Sequence, residues 1–171
     1  KGTEFDAGAV VIAGGVGSFQ PRRLVVEGAE VFEGRSIHYR VHKAENFHGQ
    51  HLIILGGGDS ALDWTLDLAG KAASVTLVHR RAEFRAAPAS VAHMQQKAAA
   101  GELRFIQGLV QRLEVEGDRL AALIVKDAEG VEQRLPCDHA LAFYGLHPKL
   151  GPIAEWGLEL DKKALKVDTE K

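Results

Sequence analysis

Residues 51–81 read HLIILGGGDSALDWTLDLAGKAASVTLVHRR. The apolar run His51 to Leu55 has the length and composition of a short buried strand. Three glycines follow, Gly56, Gly57 and Gly58, and then Ala61, Leu62, Thr65, Leu66 and Ala69 recur at the spacing of one broad helical face. A second apolar run, Ser74 to Val78, closes on His79, Arg80 and Arg81. Strand, glycine turn, helix and strand in about thirty residues make a βαβ unit. Within it, Gly56-x-Gly58-x-x-Ala61 has the spacing of a dinucleotide fingerprint, and each position has a physical task. The first glycine permits a tight turn out of the strand, and the second lets the backbone approach a pyrophosphate. The small third residue lets helix and strand pack closely. The start of the helix adds free N–H groups and partial positive charge. A glycine-rich turn that binds nothing has the same letters; the strand before and the helix after favour the nucleotide.

The end of the second strand bears on which nucleotide. A carboxylate there would accept from ribose hydroxyls and repel a 2′-phosphate. Here the strand ends in His79, Arg80 and Arg81, with Arg85 close behind. Guanidinium groups pair bidentately with phosphate, so NADP(H) is expected over NAD(H).

Outside this stretch, 171 residues suffice for a domain with a real core. The chain is 46% hydrophobic and 26% charged with a formal net charge of −2, the balance of a globular protein in water. No basic tract points to nucleic acid, and no apolar run reaches the length of a membrane span. A start at Lys1 without methionine reads as a fragment or a processed chain. The single cysteine, Cys137, permits neither an internal disulfide nor a Cys-x-x-Cys pair, which suits a reducing, cytoplasmic setting.

Residues 9–13, AVVIA, form an apolar run expected to be a buried strand, leading into a turn at Gly14, Gly15 and Gly17. Residues 22–34 read as surface loop, 37–41 as a short extended segment and 42–50 as a polar lead-in. Pro88 suits the first turn of a helix over 90–100 that Gly101 ends. Residues 103–106 predict a strand. Residues 110–115 and 120–125 predict a hairpin around Glu116-Gly117-Asp118, and 131–135 a third meander strand after the turn at 127–130. HALAF, residues 139–143, reads as a further buried strand, and residues 158–160 and 165–167 as short strands flanking Asp161-Lys162-Lys163. The expected class is α/β: a Rossmann-like, three-layer NAD(P)-binding domain with a parallel sheet and a three-stranded antiparallel meander.

GGGDSALDW, VTLVHRRAEFRA and AFYGLHPKLGPIAEWGLEL together resemble the NADPH-binding domain of thioredoxin-reductase-like flavoproteins. Within that group they most resemble bacterial ferredoxin–NADP(+) reductases of the thioredoxin-reductase type. The resemblance implies hydride transfer between NADP(H) and FAD, ferredoxin or flavodoxin as partner, and a homodimeric full-length protein. It implies Gly56, Gly57, Gly58, Asp59, Ser60 and Ala61 at the pyrophosphate, and His79, Arg80, Arg81 and Arg85 around the 2′-phosphate. Tyr144 and Gly145 would line the nicotinamide or adenine-ribose side. It further implies that residues 1–40 are a remnant of the flavin-domain flank and hinge, 41–147 the NADP-binding domain, and 148–171 a remnant of the return to a flavin domain built from segments on either side. Thioredoxin reductases carry a Cys-x-x-Cys ahead of the central strand; here Tyr39-Arg40-Val41-His42-Lys43 stands in that region, which favours the ferredoxin branch. A thioredoxin-reductase-like enzyme with another acceptor, and a non-catalytic NADPH-binding module, are the alternatives.

The remaining candidates are bland. Eight histidines are scattered, and the His38-x-x-x-His42 spacing falls in expected extended chain, so no metal site is assigned. Ser90 and His93 lack a nucleophile elbow. Cys137, at the edge of an apolar strand, reads as a small buried residue, and Trp64 and Trp156 as packing residues. No catalytic residue is assigned within this chain.

Overall fold

The computed structural model describes residues 2–13, 20–147, 149–161 and 164–168. The chain divides into two units, one formed by Pro21–Gly145 and the other by Lys1–Gln20 with Leu146–Lys171.

The first unit is built on a seven-stranded sheet in the order β1-β7-β2-β3-β4-β5-β6. Its central strand is β2 (His51–Leu55), which lies parallel to β3 (Ser74–His79) on one side and to β7 (His139–Ala142) on the other. β1 (Ile37–His38) extends the parallel set beyond β7, and β4 (Arg104–Glu116) extends it beyond β3. Helix α1 (Asp59–Leu68) makes the crossover from β2 to β3, and α2 (Pro88–Ala99) the crossover from β3 to β4. β5 (Arg119–Asp127) and β6 (Glu132–Pro136) complete the meander before the chain returns through β7.

Every residue of β2 after His51 is buried, because both of its faces are covered. Leu52 and Ile54 face a core that holds Leu62 and Leu68 of α1 and Met94 of α2. Ile53 and Leu55 face a second core, with Leu120, Leu123 and Val125 of β5 and Leu24 and Phe32 of the N-terminal segment. The layers are therefore helices, parallel sheet and meander, the three-layer α/β class expected from the sequence.

β4 makes this possible. Residues 104–107 pair parallel with β3, while residues 108–116 pair antiparallel with β5, with register shifts at Val110/Arg112 and Glu114/Val115. Such bulges bend a strand and increase its twist. The two segments expected separately at 103–106 and 110–115 are thus one strand. The hairpin turns at Gly117, and Asp127 closes the next turn by accepting from the N–H groups of Glu129 and Val131. Arg112 pairs with Glu132 and Arg134 with Glu114 across β5, their stems flanking Ile124, which is only 3% exposed.

Several local expectations are corrected. Residues 9–13 form no strand and are exposed, Val11 at 90%, because no neighbouring strand among the described residues offers the run an edge or a cover. The glycines expected to follow at 14, 15 and 17 lie outside the described residues. Residues 22–34 are more than surface loop: a 3₁₀ turn at Ala29–Phe32 buries Ala29 and Phe32. A second such turn, Ala44–Phe47, buries Phe47 in the supposedly polar lead-in. On α1 the buried positions are Ala61, Leu62, Thr65 and Leu68, and Leu66 and Ala69 are only half-buried. Thr65 satisfies its hydroxyl on the Ala61 carbonyl at 2.7 Å. Trp64 is half-buried, but Trp156, expected to pack, is 55% exposed.

In the second unit β8 (Leu160–Asp161) pairs antiparallel with β9 (Ala164–Leu165), and the turn between them lies outside the described residues. No helix among the described residues is long and apolar enough to cross a membrane.

Candidate functional site

In the sheet order, the chain leaves β2 for β3 and β4 on one side and returns to its other side as β7. The two directions part at the carboxyl end of β2, the switch point where open α/β sheets form a crevice. Gly56–Gly58 leaves β2 there, His79–Arg85 leaves β3, and Phe143–Gly145 leaves β7. The Phe143 N–H donates to the Leu55 carbonyl at 2.7 Å, and the Gly56 N–H to the Val78 carbonyl at 3.0 Å, which ties the three exits together.

Each glycine does a different thing. Gly56 has φ +146, and a β-carbon on it would lie 2.5 Å from the Phe143 carbonyl oxygen and 3.1 Å from the Ala61 β-carbon. The turn and the close seating of α1 both need its bare Cα. At Gly57 a β-carbon would run into the His79 ring. At Gly58 a side chain would meet nothing within 4 Å: this is the open side of the turn, where a ligand can approach the backbone. No side chain caps the first turn of α1, whose Asp59 and Ser60 are exposed, so its leading N–H groups keep their attraction for an anion. Ala61 is fully buried against the turn.

The loop after β3 is ordered against this turn. The Arg85 N–H donates to the Gly57 carbonyl at 2.8 Å, and the Ala87 N–H to Asp59 Oδ1 at 2.8 Å. His79 is half-buried, with Nε2–H on the Glu83 carbonyl at 3.2 Å and its ring 5.2 Å from that of Phe84. Phe84 in turn meets Phe105 at 5.3 Å. Burial lowers the His79 pKa below the usual value of 6.5; the hydrogen bond to Glu83 opposes this, and the charges of Arg80, Arg81 and Arg85 add to the lowering. The ring is therefore neutral near pH 7, a bracket and not a cation. Arg80, Arg81 and Arg85 are all exposed, and no carboxylate pairs with any of them among the described residues. Tyr144 is 37% exposed, and Gly145, at φ +88, accepts the Arg22 N–H at 3.0 Å.

This edge of the sheet thus offers an anion-receptive helix start, an open backbone turn and three free guanidinium groups, the features a phosphorylated dinucleotide requires. Sequence reasoning missed Ala87, Glu83 and Phe143, whose backbone groups hold the site together; a backbone donor or acceptor leaves no mark in the residue type. Phe84 could have been found as the single aromatic residue of a charged loop.

The family model for pyridine nucleotide-disulphide oxidoreductases matches residues 1–170. This chain belongs to that family. Among curated family relatives, "Ferredoxin--NADP reductase 2" of Cupriavidus necator is 56% identical over 170 residues, covering 99% of this chain and 46% of the relative. "Ferredoxin--NADP reductase" of Albidiferax ferrireducens is 53% identical over 175 residues, covering 100% of this chain and 49% of that protein. The chain therefore spans about half the length of these relatives. Among solved structures, Lactococcus lactis thioredoxin reductase in its FR conformation superposes with TM-score 0.75 at 24% identity, over 90% of this chain and 50% of that one. The enzyme of T. acidophilum gives TM-score 0.77 at 20% identity, with the same coverage. The fold is theirs; at that identity the likeness carries the architecture alone.

Proposed function

We propose that this chain is the NADPH-binding part of a flavin oxidoreductase of the ferredoxin–NADP(+) reductase kind. The observation that carries the reading is the loop of Arg80, Arg81 and Arg85, without a carboxylate partner among the described residues and fastened beside the open Gly58 turn. The backbone of the turn and helix start at Gly56–Ala61 would receive the pyrophosphate, the three arginines the 2′-phosphate, and Tyr144 and Gly145 would border the nicotinamide or adenine-ribose side, with His79 bracing the loop. A nucleotide held by these residues would supply or accept a hydride, with FAD of the full-length protein as the other redox partner. The chain's own contribution is to bind, orient and select the nucleotide. Residues 41–147 would act as the nucleotide domain, with 1–40 and 148–171 leading to and from the flavin domain. Ferredoxin or flavodoxin would be the partner, in a cytoplasmic homodimer; the names of the relatives support the ferredoxin part.

A route through thiols has no support in this chain. Cys137 is its one cysteine, 5% exposed, and burial pushes its thiol up to about 12.

Arg80→Ala combined with Arg81→Ala tests the reading. Each lost charge-assisted contact is worth about 1.5–3 kcal/mol, so NADPH should bind at least roughly tenfold more weakly while NADH affinity barely changes. An equal loss for both nucleotides in calorimetric titration would overturn it.

A further inference from the structure

Three cations on a short loop repel one another, and among the described residues none has a carboxylate to hold it. The loop needs fastening from outside. One fastener is Asp59, the first residue of α1. A carboxylate suits a helix N-terminus, yet next to a pyrophosphate it is a repulsive charge. The structure shows what it does instead: Oδ1 accepts the Ala87 N–H at 2.8 Å. Ala87 is the N-cap of α2, and Pro88 behind it has no N–H, so this is the last backbone donor before the helix. No side chain caps α2 from within. Two residues earlier, the Arg85 N–H is held by the Gly57 carbonyl at 2.8 Å. The two bonds land on either side of Gly58, the open position of the turn.

We infer that Asp59 is a positioning residue for nucleotide choice: it fixes the start of α2, and with it the place of Arg85, relative to the phosphate turn, and is not itself a phosphate contact. Selection for a 2′-phosphate then depends on a carboxylate that never touches it. The inference rests on the nucleotide reading above.

The test measures NADPH and NADH affinities for the wild type, Asp59→Ala, Asp59→Asn and Ala87→Pro. Ala87 has φ −53, which proline adopts, so that variant deletes the donor from the opposite side of the same bond. Asp59→Ala and Ala87→Pro should each reduce the preference for NADPH over NADH roughly tenfold, the scale of one hydrogen bond to a charged group. Asp59→Asn keeps an acceptor oxygen and should keep most of the preference. Equal weakening of both nucleotides in Asp59→Ala, as for a pyrophosphate ligand, overturns the inference, and so does an unchanged preference. A wild type that does not prefer NADPH overturns the underlying site reading instead, before any variant is considered.

Discussion

A pair of histidines at the opposite end of the strands from the glycine turn shows how one contact sets a pH response. His38 on β1 and His139 on β7 share a hydrogen bond of 3.2 Å, and both rings meet Phe47 edge-on at 5.3 and 5.4 Å. Burial lowers the pKa of each below 6.5. For His38 the neighbouring His139 adds to this and a backbone hydrogen bond with Arg35 opposes it. For His139 both Asp138 and the Arg35 backbone oppose it. Because the folded values lie below the unfolded one, the unfolded chain binds more protons in the interval between them. Stability is therefore full above about pH 6.5, falls as pH drops below it, and levels off under the folded values. We expect the urea midpoint to decline from about pH 7 to about pH 5. The decline should be shallower in His139→Gln, and an unaltered slope would remove the pair as its cause.

At the scale of elements, β4 carries the architecture, since it belongs to the parallel sheet at one end and to the meander at the other. The exchange occurs at Gly108, where a β-carbon would lie 2.6 Å from the Lys126 carbonyl oxygen and 2.8 Å from a Val125 methyl. Backbone cannot yield as a flexible side chain can, so Gly108→Ala should cost about 2–3 kcal/mol in denaturant unfolding. Gly117→Ala is the contrast: its φ of +64 is strained for alanine, but the space around it is open, and about 1 kcal/mol is expected. If the two substitutions prove equal, crowding at the crossing is not what Gly108 relieves. The ion pairs Arg112–Glu132 and Arg134–Glu114 lie on the exposed face and should each contribute under about 1 kcal/mol.

For the whole molecule, the contrast between the units matters. Pro21–Gly145 holds both packed cores. The other unit leaves Phe5 88% exposed and Trp156 55% exposed. The family match runs through both units, and the relatives are about twice as long. A polypeptide of these 171 residues should accordingly bind NADPH yet reduce no dye with it, even when FAD is added. Spectrophotometric turnover at an enzyme-like rate, about 1 per second or more, would sink that expectation and with it the division of labour proposed for the full-length protein.

The sequence by itself determined the βαβ unit. Strand β2 falls at His51–Leu55 as its apolar run requires, α1 starts one residue after Gly58, and β3 runs to His79, because strand length, glycine turn and helical spacing are local properties. The meander was legible for the same reason, from its turns at Gly117 and at 127–130. Local pattern could not supply partners. AVVIA has the letters of a strand, but without a paired edge it stays exposed. Phe32 and Phe47 lie in polar-looking stretches and become core because the sheet places other apolar residues against them. At the site, the sequence supplied the glycines and the arginines. Only the tertiary structure decided that His79 presses on Gly57, that Asp59 holds Ala87, and that the arginine loop is bound to the glycine turn. Those contacts join residues up to 28 apart in the chain, and each has on at least one side a stretch of backbone that carries no mark of residue type.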